Sequence, residues 1–482
     1  MPRRAARLVP KIPPVLARTA RRIGLILGGL LAVALLLFAI AWLVNLRDEP
    51  LTPEARALLQ APANPYPDAD NVYYALAGLD APPGESALDF GEARVAHYNR
   101  ELEATLRDPT PENLEALKSP DSRRLEFAGD FSFKQPLDSF WDDVPPHRDD
   151  VTQVLGANLE LYQRYLALHG LGGYFETAHP SHLAPVYYVP SNLRTLFLAE
   201  VVLRLHAGDP AAQREALADL EADVRLWRTV LTGSGALISK MLAIAYLHWD
   251  ELVLADMIAD PAAPLPAGPE DADALAPIFA LDDWDISKAY AAEFRVQAAF
   301  LEHSHEQFRA GRLPPGAPAG LRGLMQALGE RIGGHFFKTQ ATLNLFAAQV
   351  ARLTRAAAPA AYENPQAPAA PHLGSLRTVY NPLGKILAAV SGEAYEPYPA
   401  RAWDGAAFQR LLRLSYEIRR QRIAPGAIPA FLRAHAQWST HPANGRPFLW
   451  DEKTGTIRVQ TSGPLPAGRV FAVHVWRAPG PG

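Results

Sequence analysis

The chain contains no cysteine. That excludes a disulfide framework, a thiolate metal site and a cysteine nucleophile, and it is a safe composition for an oxidising compartment. Basic charge is scarce once the first 22 residues are set aside. Those residues hold seven basic side chains (Arg3, Arg4, Arg7, Lys11, Arg18, Arg21, Arg22) and no acid; taking them from the total of 47 leaves 40 basic against 51 acidic residues, a net of −11. A body this acidic argues against nucleic acid or an anionic surface as a general partner, because phosphate binding needs basic patches. Catalytic signatures are missing too. Gly233-Ser234-Gly235 lacks the spacing of a nucleophile elbow and lies between helical patterns, and Ser239-Lys240 is not a Ser-x-x-Lys pair. Gly384-Lys385 has neither the upstream glycine nor the hydroxyl residue of a phosphate loop. Asp142, Asp143, Asp149 and Asp150 bracket a turn without the ligand spacing and glycine of a calcium loop. No period near 34 residues marks a repeat solenoid. No catalytic residue and no cofactor is therefore assigned.

One long uncharged stretch is present, Ile23 to Val44. Its 22 residues rise about 33 Å as a helix, enough to cross a hydrocarbon core of roughly 30 Å. The basic tail before it and the mixed charges of Arg47, Asp48 and Glu49 after it keep the amino terminus in the cytoplasm. Trp42 suits the headgroup layer at the outer end. Ala39-Ile40-Ala41 has the small-x-small form of a signal-peptidase site, with cleavage after Ala41. The apolar run, however, exceeds the usual signal core and continues past that point. The expected organisation is a cytoplasmic tail over 1–22, a transmembrane helix over 23–45, a periplasmic mainly helical domain over 46–440 and a small β appendix packed on it over 441–482. The lipid bilayer is the partner of residues 23–45, and the compartment is a bacterial inner membrane with the body in the periplasm.

The body reads as mainly α. Thr52-Pro53 is a side-chain cap followed by a first-turn proline, opening a short helix that ends before Pro62. Gly91 to Leu106 and Pro111 to Leu117 are further candidates, bounded by proline or glycine. Val151, Val154, Leu155, Tyr162, Tyr165 and Leu166 recur at helical spacing. Ser191 is placed to cap an apolar helix from Asn192 to His206. Asp209 and Pro210 open another in which Leu217, Leu220, Val224, Trp227 and Leu231 form one face. A third runs from Leu237 to Ile258, with Met241, Leu242, Ala245, Trp249 and Leu252 on one side. Connections as short as Gly208-Asp209-Pro210 and Gly233-Ser234-Gly235 force these three into an antiparallel helical stack. Proline- and alanine-rich connectors at 261–270, 312–320 and 357–371 separate helices expected over Ile286–Arg309, Leu321–Ala356 (bent at Gly333-Gly334) and Trp403–Arg422. Arg446–Trp450, Thr456–Gln460 and Arg469–Trp476 read as strands of a small C-terminal antiparallel β-sheet. Asp451 to Gly455 form its first turn, and both faces of the last strand are expected to be partly covered.

Two functional readings attach to one loop. Glu176, His179 and His182 place three possible first-row metal ligands within seven residues, although Pro180 between the histidines and glycines 170, 172 and 173 before them make the segment a loop. The same loop carries Tyr174, Phe175, Tyr187 and Tyr188, the richest gathering of polar-tipped aromatics in the chain. Such a loop either binds a ligand or partner or packs as a plug over the helices. Tyr174, His179, His182, Tyr187 and Tyr188 are the candidate binding residues, and Glu176, His179 and His182 the candidate metal ligands. His303 and His305, two apart on a helix, point about 200° from one another and cannot share an ion. His248 reads as a core histidine. Asp282, Asp283 and Asp285 around Trp284 read as charges at the positive end of a helix.

Arg377-Thr378-Val379-Tyr380-Asn381-Pro382-Leu383-Gly384-Lys385, Lys338-Thr339-Gln340-Ala341-Thr342-Leu343-Asn344 and the stretch from His441 to Asp451 resemble segments of single-pass, membrane-anchored bacterial envelope proteins of unassigned function. The terminal stretch is also similar to the carboxyl ends of type II secretion pseudopilins, where an Asp-Pro and a Gly-x-Pro turn open a small sheet. Here His441 stands in place of the aspartate, and no prepilin cleavage site with its glutamate-bearing helix precedes the apolar run. The resemblance implies topology and no catalytic residue. The expected role is a membrane-anchored periplasmic binding or scaffolding module with an unknown envelope protein partner. The alternative is an anchored hydrolase or metal-dependent enzyme using the Glu176–His182 loop.

Overall fold

The computed structural model describes residues 14–108, 110–118, 124–133, 139–263, 275, 278–279, 283–310, 333–357, 379–462 and 470–476. The connector expected at 312–320, the first part of the helix expected from Leu321, most of 261–270 and 357–371, Asp282 and the side chain of His305 lie outside them. The described helices are α1 (Pro14–Val44), α2 (Pro53–Leu59), α3 (Val72–Ala77), α4 (Ala87–Arg107), α5 (Pro111–Ala116), α6 (Phe140–Asp143), α7 (Arg148–Ala157) and α8 (Leu159–Ala167). After them come α9 (Ser191–Leu205), α10 (Pro210–Thr232), α11 (Leu237–Ala259), α12 (Ser287–Ala310), α13 (Thr339–Ala357), α14 (Pro382–Tyr395), α15 (Pro397–Arg420) and α16 (Ile428–Ala434). Strands β1 (Leu449–Asp451), β2 (Thr456–Gln460) and β3 (Val470–His474) close the order. The fold is mainly helical with one small antiparallel sheet, and the chain divides into two compact units.

The first unit comprises residues 1–51, 305–343 and 370–388. Its α1 contains Arg22–Val44, 23 residues of mean hydropathy 2.8 with none of the apolar window buried, a helix long and apolar enough to cross a membrane. A collar of polar bonds surrounds its end. Asn45, fully buried, donates through Nδ2 to the Val379 carbonyl (2.7 Å) and accepts from the Asn381 amide (2.8 Å). Asp48 accepts the amides of Gln340 (2.8 Å) and Ala341 (3.0 Å), satisfying first-turn donors of α13 that the helix cannot pair itself. The His335 ring stacks on Trp42 at 3.6 Å, and Phe336 meets Trp42 edge-on. Asn381 has φ +50, a left-handed conformation that asparagine tolerates better than most side chains, and Pro382 starts α14 directly after it.

The second unit comprises residues 52–304, 344–369 and 389–482. Thr52 caps α2 through the Ala55 amide (3.2 Å) and Asp209 caps α10 through the Ala211 amide (3.0 Å), both as the local sequence dictates. Gly208, at φ +73, makes the turn between α9 and α10 without a Cβ penalty. Helices α9, α10 and α11 pack consecutively, and Leu217, Leu220, Val224, Trp227 and Leu231 of α10 are all buried. Helix α15 packs on α11, and β3 lies against both. The sheet order is β1-β2-β3, with Trp450 opposite Ile457 and Ile457 opposite Val473. Gly455, φ +66, ends the first hairpin turn.

Four local expectations change. Ser191 makes no capping bond; Pro190 holds the N-cap position and Ser191 is the first helical residue. The helix expected from Leu321 is broken where it is described: residues 333–335 are helical, and α13 starts afresh at Thr339 under the Asp48 cap. In β3 the covered side is Phe471 and Val473, whereas Val470, Ala472 and His474 are exposed, so the sheet has one wet face. On α11 the side bearing Ala245 and Leu252 faces outward, and the interior side carries Lys240, Asp250 and Glu251 among Ala243, Leu247 and Leu254. Partners from neighbouring segments make that inversion tolerable, since buried charge persists only when it is paired or neutralised.

Candidate functional site

The loop after α8 divides into an inner and an outer half. The inner half, Gly173 to Glu176, is extended and pinned on both flanks. Val72 donates its amide to Gly173 (2.8 Å), and Asn71 clasps Phe175 through both its amide nitrogen (2.8 Å) and its oxygen (3.0 Å). On the other side Ser234 and the Tyr174–Glu176 segment exchange backbone bonds of 3.2 and 2.9 Å. Here the Gly233-Ser234-Gly235 connector finds its reason. A Cβ on Gly233 would sit 2.5 Å from the Tyr174 carbonyl oxygen, and one on Gly235 would sit 2.5 Å from Glu176 Oε1. The glycines let the loop backbone approach the start of α11.

Glu176 is the hub of a polar network at that junction. Its Oε1 accepts from the Tyr174 hydroxyl and the Ser239 hydroxyl, each at 2.6 Å, and its Oε2 accepts from the Ala236 amide at 3.0 Å. Glu293 accepts the adjacent Leu237 amide (2.8 Å) and the Tyr395 hydroxyl (2.9 Å). Two carboxylates from other segments thus cap α11, whose own N-cap residue, Ala236, has no side-chain acceptor. Burial pushes the Tyr174 hydroxyl well above its ordinary range, and the neighbouring Glu176 carboxylate adds to the shift. Tyr73 is raised by the same two causes. Burial also lowers Lys240 to about 7, against the pull of Glu176. Its ammonium nitrogen donates to the Val230 carbonyl (2.6 Å) and lies 4.6 Å from the centre of the Tyr174 ring.

The outer half of the loop, Thr177 to Tyr188, is wall rather than floor. With Tyr73, Ser239 and Glu293 it encloses a cleft of about 500 Å³, which Glu176, His179, His182 and Tyr187 all line. Pro185, Val186 and Tyr187 also border a second cleft of about 700 Å³, shared with Leu76, Tyr98 and Tyr188. Tyr187 meets Tyr73 edge-on at 5.4 Å, and burial pushes its hydroxyl up to about 12. Tyr188 is 55 % exposed. The His179 amide is held by Asn99 Oδ1 (2.7 Å) while the residue stays exposed. His182 meets the Phe300 ring edge-on at 5.5 Å, and burial followed by the nearby His303 charge lowers its pKa.

Five of the six candidates thus surround one loop and its two clefts, and Tyr174 lies behind it with its hydroxyl spent on Glu176. Glu176, His179 and His182 border the same space, yet among the described residues no three His, Cys, Asp or Glu side chains gather as metal ligands would. Each oxygen of Glu176 already accepts a protein donor. His248 packs against Phe408 and Phe471 at 4.8 and 5.9 Å, and Asp285 accepts the Ser287 amide (2.7 Å) at the start of α12. Tyr73, Lys240, Glu293 and Arg295 belong to the site without any motif announcing them. Only Lys240 had a one-dimensional signal, because it shares a helical stripe with Leu247, Asp250 and Leu254.

No family model matches this chain, and neither the curated proteins nor the solved structures give a match.

Proposed function

We propose that the protein is a membrane-tethered binding module of the bacterial envelope, anchored by α1 with its helical body in the periplasm, and that the outer half of the 173–188 loop receives its ligand. One observation carries this reading. The loop is locked at Gly173–Glu176 by backbone and carboxylate bonds, while Thr177–Tyr188 is left as the partition between two clefts. A rigid base under an aromatic, partly exposed rim is the arrangement expected of a recognition loop, because the ordering cost is met on folding and not on binding. Clefts of this size suit a small molecule or the anchoring side chains of a protein segment.

The anchor supports the tether. The tail's seven positive charges favour the cytoplasmic side for the amino terminus, and the acidic body follows on the other. A cysteine-free chain gives a clean test, since any introduced thiol is unique. An impermeant maleimide applied to intact spheroplasts should label Leu449→Cys in the body and leave Ala6→Cys in the tail unlabelled until the cells are lysed. The reverse pattern overturns the orientation. Photo-crosslinking from position 188 in living cells, with position 449 as control, tests the loop. A discrete adduct at 188 absent at 449 is expected; identical patterns at the two positions reject the loop as the binding site.

A further inference from the structure

A third cleft, of about 370 Å³, lies between the 57–66 segment and α12. Leu58, Pro62, Pro65, Tyr66 and Phe175 give it an apolar wall, and among the described residues the charged side chains lining it are Lys288 and Arg295. These are seven residues apart on α12, two helical turns, and therefore on one face. Lys288 spends one ammonium proton on the Thr232 carbonyl (2.8 Å). Arg295 is half-buried, and none of the described residues gives it a hydrogen bond or an ion pair. The carboxylate nearest to it in sequence, Glu293, is committed to Leu237 and Tyr395. Burial lowers the Arg295 pKa with no neighbouring charge offsetting it. Arg295 also borders the 500 Å³ cleft that the loop encloses.

We infer that Arg295 is the receptor for an anionic group, a carboxylate or a phosphate monoester, carried on an apolar or aromatic body that lies along Pro62, Tyr66 and Phe175. The inference rests on the binding-module reading and gives its ligand a chemical class. A partly desolvated guanidinium whose donors none of the described residues uses gains most from a bidentate oxyanion, and Lys288 adds attraction two turns away. A neutral ligand would leave that half-buried cation without a partner among the described residues.

The test uses the full chain in nanodiscs of zwitterionic lipid, with saturation-transfer NMR on phenyl phosphate, benzoate and benzyl alcohol. Either anion should bind, and Arg295→Gln should weaken it by about tenfold or more. Arg433→Gln, an exposed arginine elsewhere, should not. Displacement by inorganic phosphate marks a free anion as the ligand class, and displacement only by dihexanoyl phosphatidate marks a lipid headgroup. Benzyl alcohol binding as well as the anions, with Arg295→Gln unchanged, overturns the anion receptor and leaves the binding module standing. Silence from all three probes overturns this cleft as a site.

A separate observation in the first unit carries a second inference. Residues 379–381 are bonded to Asn45 at the end of α1, and α14 starts at Pro382 immediately afterwards. Its first two turns expose Leu383 (41 %), Ile386 (60 %) and Leu387 (41 %) at helical spacing. We propose that this stripe rests in the headgroup and acyl boundary of the same bilayer that α1 crosses, continuing the surface begun by Trp42, His335 and Phe336. An environment-sensitive fluorophore at Ile386→Cys should be quenched by shallow spin-labelled lipids and one at Leu31→Cys, mid-span in α1, by deep ones, while one at Leu449→Cys should be quenched by neither. Quenching at 31 without quenching at 386 overturns the interfacial helix and spares the anchor.

Discussion

Helix α11 carries charge into the interior at two places, and the two are treated differently. Near its middle, Asp250 shares the fully buried Arg194 with Asp223; Tyr165 and the Tyr246 carbonyl complete the set, and His169 Nε2 donates to Asp223 at 3.0 Å. Two carboxylates face one guanidinium, so the pair divides. Against the cost of burial, Arg194 and His169 bring Asp223 down to about 2, whereas burial keeps Asp250 well above the usual carboxylate range despite the same arginine. Near its start, Lys240 meets Tyr174, the Val230 carbonyl and the opposing fields of Glu176 and Lys288, and Ser239 and Glu176 open onto a cleft. The first cluster is sealed from solvent, and its charged groups face one another. The second leaves polar atoms beside empty space, which is the physical difference between a structural ion cluster and a place where a ligand can be read.

The largest effect expected from breaking this contrast is at Arg194. Arg194→Met strands two buried carboxylates and should cost about 3–5 kcal/mol in chemical denaturation. The divided pair sharpens the point: Asp223→Asn should cost about 3 kcal/mol, and Asp250→Asn about 1 kcal/mol, since Asp250 is already close to its neutral form. Equal losses at the two aspartates would reject the division. Next comes Glu176→Leu, which leaves the Ala236 amide and the Tyr174 and Ser239 hydroxyls without their acceptor and should cost about 2–3 kcal/mol.

Smaller effects appear along the pH axis. Lys240, held near 7 against its usual 10.5, is neutral when folded and charged when unfolded across that window. The unfolded chain binds more protons there, so stability rises with pH from 7 to 10.5, by at most about 1.4 kcal/mol per unit. Glu251 runs the other way: burial, against the pull of Arg228, holds it near 8 instead of 4.5, the folded form keeps the extra proton, and stability falls as pH rises from 4.5 to 8. Urea midpoints across pH should show the upper slope flattened in Lys240→Met and the lower one flattened in Glu251→Gln. A variant retaining the wild-type slope would remove that residue as its source. The smallest stability change should be at Tyr188→Ala, within about 0.5 kcal/mol, because the side chain is exposed; its effect belongs in crosslinking at the loop.

The sequence made the outline legible where pattern and local chemistry agree. The α10 face from Leu217 to Leu231, the caps at Thr52 and Asp209, the turn glycines at 208 and 455 and a helix long and apolar enough to cross a membrane all follow from spacing, side-chain type or chain stereochemistry. The misread face of α11 has one cause. Apolar spacing assumes that charge faces water, and Lys240, Asp250 and Glu251 face partners contributed by α9, α10 and the 173–176 segment. Such pairing is non-local and leaves no trace in a one-dimensional pattern. The same holds for the site: the loop was visible as an aromatic cluster, but its role as a partition needed Asn71, Ser234 and Glu293, each far away in the chain. Likewise α13 begins where Asp48 caps it and not where its apolar pattern starts.

Asn45 bonds to Val379 and Asn381, more than three hundred positions later in the chain. During synthesis, which delivers the amino terminus first, α1 emerges early while the acceptor and donor that close around its end are among the later residues to leave the ribosome. A nascent chain interrupted before residue 379 must therefore carry a hydrophobic rod whose terminal Asn45 side chain keeps only its bond back to the Ala41 carbonyl (2.8 Å), so truncation products would differ from the finished molecule first at the rod's exit point.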